Sequence, residues 1–243
     1  GAAGTLNLWY ESDLDALMTR TCLRPIPTGQ VTKNQALFFG ILLSIGSVSL
    51  LYFSSNLMSA SLLLLTICFY FFIYTVWLKR RTPQNIVIGG AAGALPPVIG
   101  WTIATGSLSL EPVILFLIIF LWTPSHFWAL SIYKSNDYKK AKIPMLPIIY
   151  GIEKTKKNIF IYSLLMLPTI SAPYYMSFLS KIYFYPSLAL TIYYIYLCGT
   201  LLKVKKSKEV NSLARKIFLY SIFYLFVIFL LILSDHFLMR LYE

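Results

Sequence analysis

The sequence is poor in charged residues and in cysteine, and each shortage excludes a class of protein. Charged side chains make up only 12% of the 243 residues, whereas hydrophobic ones make up 58%. A soluble domain needs more charge on its surface, so this composition indicates an integral membrane protein. The three cysteines, Cys22, Cys68 and Cys198, show neither CxxC pairing nor the spacing of a metal site. Their odd, scattered arrangement argues against a disulfide framework.

Acidic residues are also scarce, with 9 against 21 basic residues and a net charge of +12. In a soluble chain this excess would suggest a nucleic-acid partner. Here the basic residues cluster in loops between apolar runs, so membrane topology explains them better. We therefore expect the lipid bilayer as the surroundings and no nucleic acid. No signal peptide is visible, and the chain starts in mid-pattern at Gly1, so we expect membrane sequence to precede it.

The apolar runs predict an all-α, polytopic transmembrane helix bundle. Residues 1–8 resemble the end of a membrane helix, and each later run has about the 20 residues needed to cross a bilayer. Together they predict a single integral-membrane domain over residues 1–243, incomplete at its N-terminus. The seven complete spans are predicted at residues 36–53, 57–78, 86–105, 112–133, 158–179, 182–202 and 213–233.

Residues 7–25, NLWYESDLDALMTRTCLRP, hold the densest group of acidic residues. If they are helical, Asn7, Glu11 and Asp15 are spaced four apart and share one face. Three oxygen-bearing side chains on one stripe suit a divalent cation such as Mg²⁺. Asp13 would lie about 200° around the helix and point away, which makes it a less suitable metal ligand. The alternative is a solvated acidic helix end.

Basic residues accompany these acids on one side of the membrane. The positive-inside rule assigns the lysine-rich and arginine-rich loops to the cytoplasm or the mitochondrial matrix, and Asp137 lies on that side too. Carboxylates for a metal and cations for an anion, at the mouth of an apolar bundle, suit a lipid diphosphate. The run 79–85 begins a glycine-rich span, and arginine binds phosphate bidentately. The alternative is that these charges only orient the helices. The candidate diphosphate ligands are Arg20, Arg24, Lys79, Arg80 and Arg81.

His126 lies inside the predicted span 112–133. It precedes Lys134 by eight residues, which corresponds to a depth of about 12 Å. An ionisable side chain at that depth is a candidate functional group. The alternative is a neutral histidine that hydrogen-bonds to a neighbouring helix.

Four stretches, in this order along the chain, carry a resemblance to a known family: NLWYESDLDALMTRTCLRPIPTG, RRTPQNIVIGGAAGALPPVIGW, WTPSHFWALSIY and NDYKKAKIPMLP. They resemble the protoheme IX farnesyltransferase (haem O synthase) family of UbiA-type intramembrane prenyltransferases. The resemblance is dense over residues 1–151 and looser beyond. That family typically has nine membrane helices, which implies that the first and most of the second are missing here.

The resemblance implies farnesyl transfer from farnesyl diphosphate to the 2-vinyl group of haem b, with addition of water, to give haem O for terminal oxidases. Mg²⁺ is the implied cofactor, and haem b is a substrate. The implied catalytic and metal-binding residues are Asn7, Glu11, Asp15 and Asp137. We further expect His126, Asn85, Trp122 and Tyr133 to contact haem or the prenyl substrate.

Three positions depart from the family pattern. Glu11 replaces the commoner aspartate, Tyr133 occupies the earlier aspartate position of the second acidic motif, and Lys142 stands where glycine is usual. The last two leave the ligands of a second metal open.

The resemblance also implies a membrane and partners. We expect the bacterial inner membrane, or alternatively the mitochondrial inner membrane, with the active-site loops on the cytoplasmic or matrix side. Haem A synthase or terminal oxidase assembly proteins are expected partners.

Two alternatives differ in function. A related prenyltransferase would use an aromatic quinone precursor, although a small phenolic acceptor needs no group as deep as His126. A transporter or assembly factor would place polar groups near the bilayer midplane and show repeat symmetry, and neither is evident.

Overall fold

The computed structural model describes residues 1–242, and the side chains of residues 1–239. All regular elements in this range are helical and no strand occurs there, as the sequence predicts. In chain order they are α1 (Ala2–Tyr10), α2 (Ser12–Asp15), α3 (Lys33–Ser54), α4 (Leu57–Cys68), the π-helix π1 (Phe69–Leu78), α5 (Asn85–Ala94), α6 (Pro96–Thr105), α7 (Leu110–Tyr133), α8 (Ser135–Lys140), α9 (Leu146–Ile149), α10 (Gly151–Tyr175), α11 (Lys181–Lys203) and α12 (Ser207–Tyr242).

The chain divides into two compact units. The first contains Gly1–Ser109 and Ser135–Met145, and the second contains Leu110–Lys134 and the chain from Leu146 onward. The expectation of one domain over all 243 residues stays a prediction.

In the first unit, α1 packs against α3, and α5 packs against π1. Both contacts depend on glycine. A Cβ atom at Gly40 would lie 2.8 Å from the Leu6 side chain, and one at Gly89 would lie 2.1 Å from the Tyr74 ring. The glycine-rich span is divided into α5 and α6 because Pro96 and Pro97 begin a new helix.

The second unit is a bundle of α7, α10, α11 and α12 around an apolar core that includes Ile118, Met166 and Tyr224. Among the described side chains of this unit, the buried charged ones are Lys156 and Asp235, and both bond at ends of α11. Lys156 donates to the Val204 carbonyl oxygen at 2.6 Å, at the end of α11. Asp235 accepts from the Ser180 hydroxyl and from the Ser180 and Tyr183 amides at the start of α11. These charges therefore have backbone partners that explain their burial.

Six helical segments within the described residues are long and apolar enough to cross a membrane: Lys33–Ser54, Leu57–Leu78, Asn85–Thr105, Leu110–Tyr133, Lys181–Lys203 and Ser207–Met239. The protein is therefore an integral membrane protein. The seventh predicted span, residues 158–179, lies in α10 as far as Tyr175, and α10 is not among the six. Asn158, Pro168 and Thr169 lower the hydropathy of its apolar part.

Candidate functional site

The acidic stripe of the first unit is buried and runs from α1 through a turn at Glu11 into α2. The Glu11 amide donates to the Asn7 carbonyl at 2.9 Å, and the Asp15 amide donates to the Glu11 carbonyl at 2.9 Å. The helical register therefore continues from α1 into α2, and the three side chains lie along one face. The exposed fractions of Asn7, Glu11 and Asp15 are 8%, 2% and 5%. Two of the chain's few carboxylates are thus held away from solvent.

The two carboxylate oxygens of Glu11 differ, because one has hydrogen-bond partners and the other has none. Its Oε2 accepts from Asn7 Nδ2 at 2.7 Å and also from Lys79 Nζ. Its Oε1 is buried and has no hydrogen-bond partner. Because a buried acceptor without a partner is costly, this oxygen is suited to a cation or a donor from a ligand.

One nitrogen of Arg24 contacts both carboxylate oxygens of Asp15. Arg24 Nη1 donates to Oδ1 at 2.9 Å and to Oδ2 at 2.8 Å. Residues 16–32 form a series of turns that return Arg24 to the stripe, and Thr21 fixes one of them by donating to the Asp15 carbonyl at 2.9 Å. These turns therefore hold the Arg24 guanidinium beside the buried Asp15 carboxylate.

Asp13 points away from the stripe, as the helical angle predicts. It is exposed, and Arg80 donates to its two oxygens at 3.0 and 3.2 Å. Partial burial opposes ionisation of Asp13, but the hydrogen bonds and charge of Arg80 outweigh it and lower the pKa of the carboxyl below its usual range. Arg80 also lies over the Tyr10 ring, 5.3 Å from its centroid.

Asp137 lies in α8 and belongs to the same unit. It is buried, and Thr19 Oγ1 donates to its Oδ2 at 2.7 Å. This hydrogen bond joins α8, the second acidic segment, to the turns that follow Asp15. Nearby, Lys142 has a φ of 53°, the left-handed region that favours glycine. The glycine that the sequence resemblance implies at this position would therefore have a conformational reason.

Of the other predicted ligands, one is buried and hydrogen-bonded within the first unit, and two are exposed. Asn85 is buried, donates to the Lys79 carbonyl at 3.0 Å, and leaves its Oδ1 without a partner. Arg20 and Arg81 are exposed. Among the described residues, no group of three His, Cys, Asp or Glu side chains forms a metal site. A metal at the stripe would therefore need Asn7 and oxygens supplied by a ligand.

In the second unit, His126 is buried between aromatic rings. Its ring stacks on Trp122 at 4.2 Å and on Phe218 at 4.6 Å, measured between centroids. Its Nδ1 lies 2.7 Å from Ser221 Oγ, and that hydroxyl donates to the Phe218 carbonyl at 2.7 Å. With the serine hydrogen on the Phe218 carbonyl, Nδ1 would be the donor to Ser221 and would carry the proton. Nε2 then keeps its lone pair.

Trp122 and Tyr133 belong to the same surroundings. Trp122 Nε1 donates to the Ser221 carbonyl at 2.8 Å, and the Tyr133 ring meets Phe218 edge-on at 5.9 Å. Three of the four residues expected to contact haem or the prenyl substrate therefore share neighbours on α12. The fourth, Asn85, lies in the first unit.

Sequence reasoning missed Thr19 and Thr75, which hold site residues. Thr75 is completely buried and accepts from Asn7 Nδ2 at 3.2 Å. The available signal was a single polar residue within the apolar run FYFFIYTVWL. No comparable signal marked Thr19, which lies in an already polar segment.

Comparison with known proteins gives consistent results. The UbiA prenyltransferase family matches residues 1–234. A protoheme IX farnesyltransferase of Pelagibacter ubique (strain HTCC1062) is 67% identical over 97% of this chain and 78% of its own length. One from Parvibaculum lavamentivorans is 48% identical over 97% of this chain and 74% of its own length.

A solved structure concerning digeranylgeranylglyceryl phosphate synthase in membranes shares the fold. Its TM-score is 0.77 at 21% identity, and the match covers 96% of this chain and 80% of that one. The family match and the relatives extend over both acidic segments and over His126. The chain belongs to the UbiA prenyltransferase family.

Proposed function

We propose that the chain is a transferase that makes haem O. Farnesyl diphosphate, haem b and water are consumed, and haem O and diphosphate are released. The names of relatives that are 48–67% identical over nearly the whole chain support this reaction. The substrates are therefore farnesyl diphosphate and haem b.

The structural observation that carries the proposal is the buried stripe of the first unit. Glu11 and Asp15 are each in contact with a cation, and Glu11 keeps one buried oxygen free. A binding site for a metal-bound diphosphate needs carboxylates for the metal and cations for the phosphates. Such an arrangement has little purpose in an ordinary membrane helix, where buried charges are costly.

Members of this family generally use a divalent metal to bind diphosphate. We propose Mg²⁺, held by Asn7, Glu11 and Asp15, with Asp137 supporting a second ion. The free Oε1 of Glu11 and the oxygens of Asp15 fit a hard cation that prefers oxygen ligands. When bound, the metal would supply positive charge to the departing diphosphate.

The chain's own cations stabilise the same charge. As the bond between C1 of farnesyl and the diphosphate oxygen breaks, its electron pair goes to the diphosphate. Lys79 and Arg24 are already beside the stripe, so negative charge develops where donors are in position. Arg20, Arg80 and Arg81 add donors at the exposed side of the site.

The remaining steps form two bonds. The allylic C1 carbon bonds to the haem vinyl group, and the carbocation left on that group is captured by water, which loses a proton to become the hydroxyl. Premature capture of the farnesyl cation must be prevented. The apolar lining of a helix bundle excludes water from the cation until the carbon–carbon bond has formed.

For the acceptor, we propose that His126 contacts haem through Nε2. The Ser221 contact favours protonation at Nδ1, and the two flanking rings hold the imidazole plane. A neutral imidazole with a free Nε2 can bind haem iron. Trp122, Tyr133 and Asn85 are proposed as further contacts to haem or the prenyl chain.

The proposal includes a location. Bacterial relatives support the inner membrane, and the positive-inside rule supports a cytoplasmic active site. Haem A synthase or terminal oxidase assembly proteins are the proposed partners. Haem A synthase would consume haem O, and the assembly proteins would receive the haem that results.

The test is chemical analysis of haems. Membranes from cells with and without the gene are supplied with farnesyl diphosphate and haem b, and extracted haems are analysed by mass spectrometry. A product heavier than haem b by one farnesyl group and one hydroxyl is expected only with the gene. Prenylation of an added quinone precursor, with haem b unchanged, would overturn the proposal and favour the related prenyltransferase.

A further inference from the structure

The second span changes its helical type where it meets the acidic stripe. After α4 it continues as π1, in which the Lys79 amide donates to the Tyr74 carbonyl at 2.9 Å, five residues earlier. π-helical turns are rare and often occur at functional sites. Here π1 contains Thr75 and ends immediately before Lys79, and each contacts a residue of the stripe.

Thr75 has one hydrogen to donate, and it uses that hydrogen within π1. Its Oγ1 donates to the Tyr70 carbonyl at 3.0 Å, also five residues earlier. Toward Asn7, 3.2 Å away, the hydroxyl must therefore act as an acceptor. The direction of this hydrogen bond is set by the π-helical backbone.

This direction determines which way the Asn7 amide faces. Its other partner, Glu11 Oε2, is a carboxylate oxygen and can only accept, at 2.7 Å. Both contacts require a donor, and Nδ2 has two hydrogens. Nδ2 therefore faces Thr75 and Glu11, and the carbonyl oxygen Oδ1 is left as the amide's remaining polar atom.

We propose that Thr75 is a positioning residue that holds the Asn7 amide with Oδ1 presented to the metal. The inference rests on the proposed metal–diphosphate site and adds a residue to it. Partners of metal ligands fix ligand orientation, and losing one typically costs 10- to 100-fold in metal affinity or activity. Without the Thr75 acceptor, Nδ2 loses one of its two contacts and keeps the one to Glu11, so the amide is held less firmly in this orientation.

The test measures Mn²⁺ binding to the purified full chain in detergent, in the presence of inorganic diphosphate, by electron paramagnetic resonance. Thr75→Val removes the hydroxyl and keeps the shape, and it should weaken Mn²⁺ binding about tenfold. Thr75→Ser restores the hydroxyl and should bind almost normally. The Mg²⁺ concentration giving half-maximal transfer should rise by a similar factor in Thr75→Val alone.

Thr66→Val is the matched control. Thr66 lies in the same span and donates to the Leu62 carbonyl at 2.7 Å, within its own helix. Its hydroxyl makes no hydrogen bond to Asn7, Glu11 or Asp15, so its change should leave Mn²⁺ binding unaltered. If Thr75→Val does not fold, as judged by size-exclusion chromatography, Thr75→Ala replaces it with the same expectation.

A double variant tests whether Thr75 acts through Asn7. Adding Thr75→Val to Asn7→Ala should produce no further loss of Mn²⁺ affinity. Normal affinity in Thr75→Val, or a further tenfold loss in the double variant, would overturn the inference while leaving the proposed function intact. Failure of the unmodified chain to bind Mn²⁺ with diphosphate would instead overturn the metal site itself.

Discussion

The two units bury polar groups in different ways. In the first, Glu11 and Asp15 bond to side chains, and Glu11 keeps a buried oxygen without a partner. In the second, the buried charges of Lys156 and Asp235 bond to backbone groups at helix ends. Lys156 also pairs with the exposed Glu153 carboxylate at 2.6 Å, and neutral pairs such as Ser125 with the Tyr194 hydroxyl at 2.7 Å lie in the same unit.

The difference distinguishes buried polar groups that stabilise the fold from those that can bind a ligand. A charge bonded to a helix end satisfies groups that the fold would otherwise leave unpaired, so it stabilises the fold. A carboxylate with side-chain cations and a free oxygen can exchange those partners for a ligand. The comparison therefore supports the proposal that the first unit binds the metal and diphosphate and that the aromatic surroundings of His126 receive the acceptor.

The largest effect is expected from Glu11→Ala and Asp15→Ala. Each removes a proposed metal ligand and leaves Lys79 or Arg24 without its partner, so farnesyl transfer should fall by at least about 100-fold. The assay is transfer to haem b in membranes, normalised to inserted protein. Glu209→Ala is the control. Its carboxylate is exposed and forms a surface ion pair with Lys206 at 3.5 Å. Near-normal transfer by Glu11→Ala would contradict the functional assignment.

His126→Phe should reduce transfer on the order of thirtyfold, by removing Nε2 while keeping a ring between Trp122 and Phe218. Its Mn²⁺–diphosphate binding should stay normal, because the ionic site belongs to the other unit. The measurements are the transfer rate against haem b concentration and the Mn²⁺ resonance. His236→Phe, at an exposed position of α12, is the matched control. Loss of Mn²⁺ binding in His126→Phe would break the division between the units.

Arg24→Lys should lower transfer about tenfold although the charge is kept. Lysine cannot bind two oxygens of the diphosphate through the planar fork of a guanidinium, and hydrogen bonds to charged groups contribute about 1.5–3 kcal/mol. Initial rates in membranes provide the measurement. The control changes Lys205 and Lys206 together to Gln, because both are exposed and interpreted as topology signals. An equal loss in that double variant would mean that charge alone matters.

Asp13→Ala should have the smallest effect, less than about fivefold on transfer, because an exposed ion pair contributes at most about 1 kcal/mol. The same assay, run beside Glu11→Ala and Asp15→Ala, measures it. If all three variants lost activity equally at unchanged protein level, the distinction between the stripe and the outward face would be wrong.

The sequence predicts these features to different extents. The stripe and the outward direction of Asp13 follow from helical spacing alone, because 3.6 residues per turn fixes which side chains share a face. The π-helix was not predicted, since FYFFIYTVWL is apolar on every side and its hydropathy has no period to read. Thr19 and Thr75 were missed because their partners, Asp137 and Asn7, are distant in sequence.

Span boundaries show a similar limit. The sequence places the start of one span at residue 158, but α10 begins at Gly151. The first turns of this helix carry Glu153, Lys154 and Lys156, which are poor residues for a bilayer but good helix formers. Hydropathy reports where lipid would surround the chain, whereas helix limits follow backbone hydrogen bonding.

The length of α12 has a consequence for the bilayer. At 1.5 Å per residue its 36 residues measure about 54 Å, whereas the hydrocarbon core is about 30 Å thick. The other spans are 21–24 residues long and must tilt or deform the lipid when the thickness changes. Because α12 extends beyond the hydrocarbon core, a change in bilayer thickness can instead alter how many of its residues lie in lipid and how many in water. Lipid composition should therefore change the exposure of α12 near Arg215 and Lys216 without unfolding it.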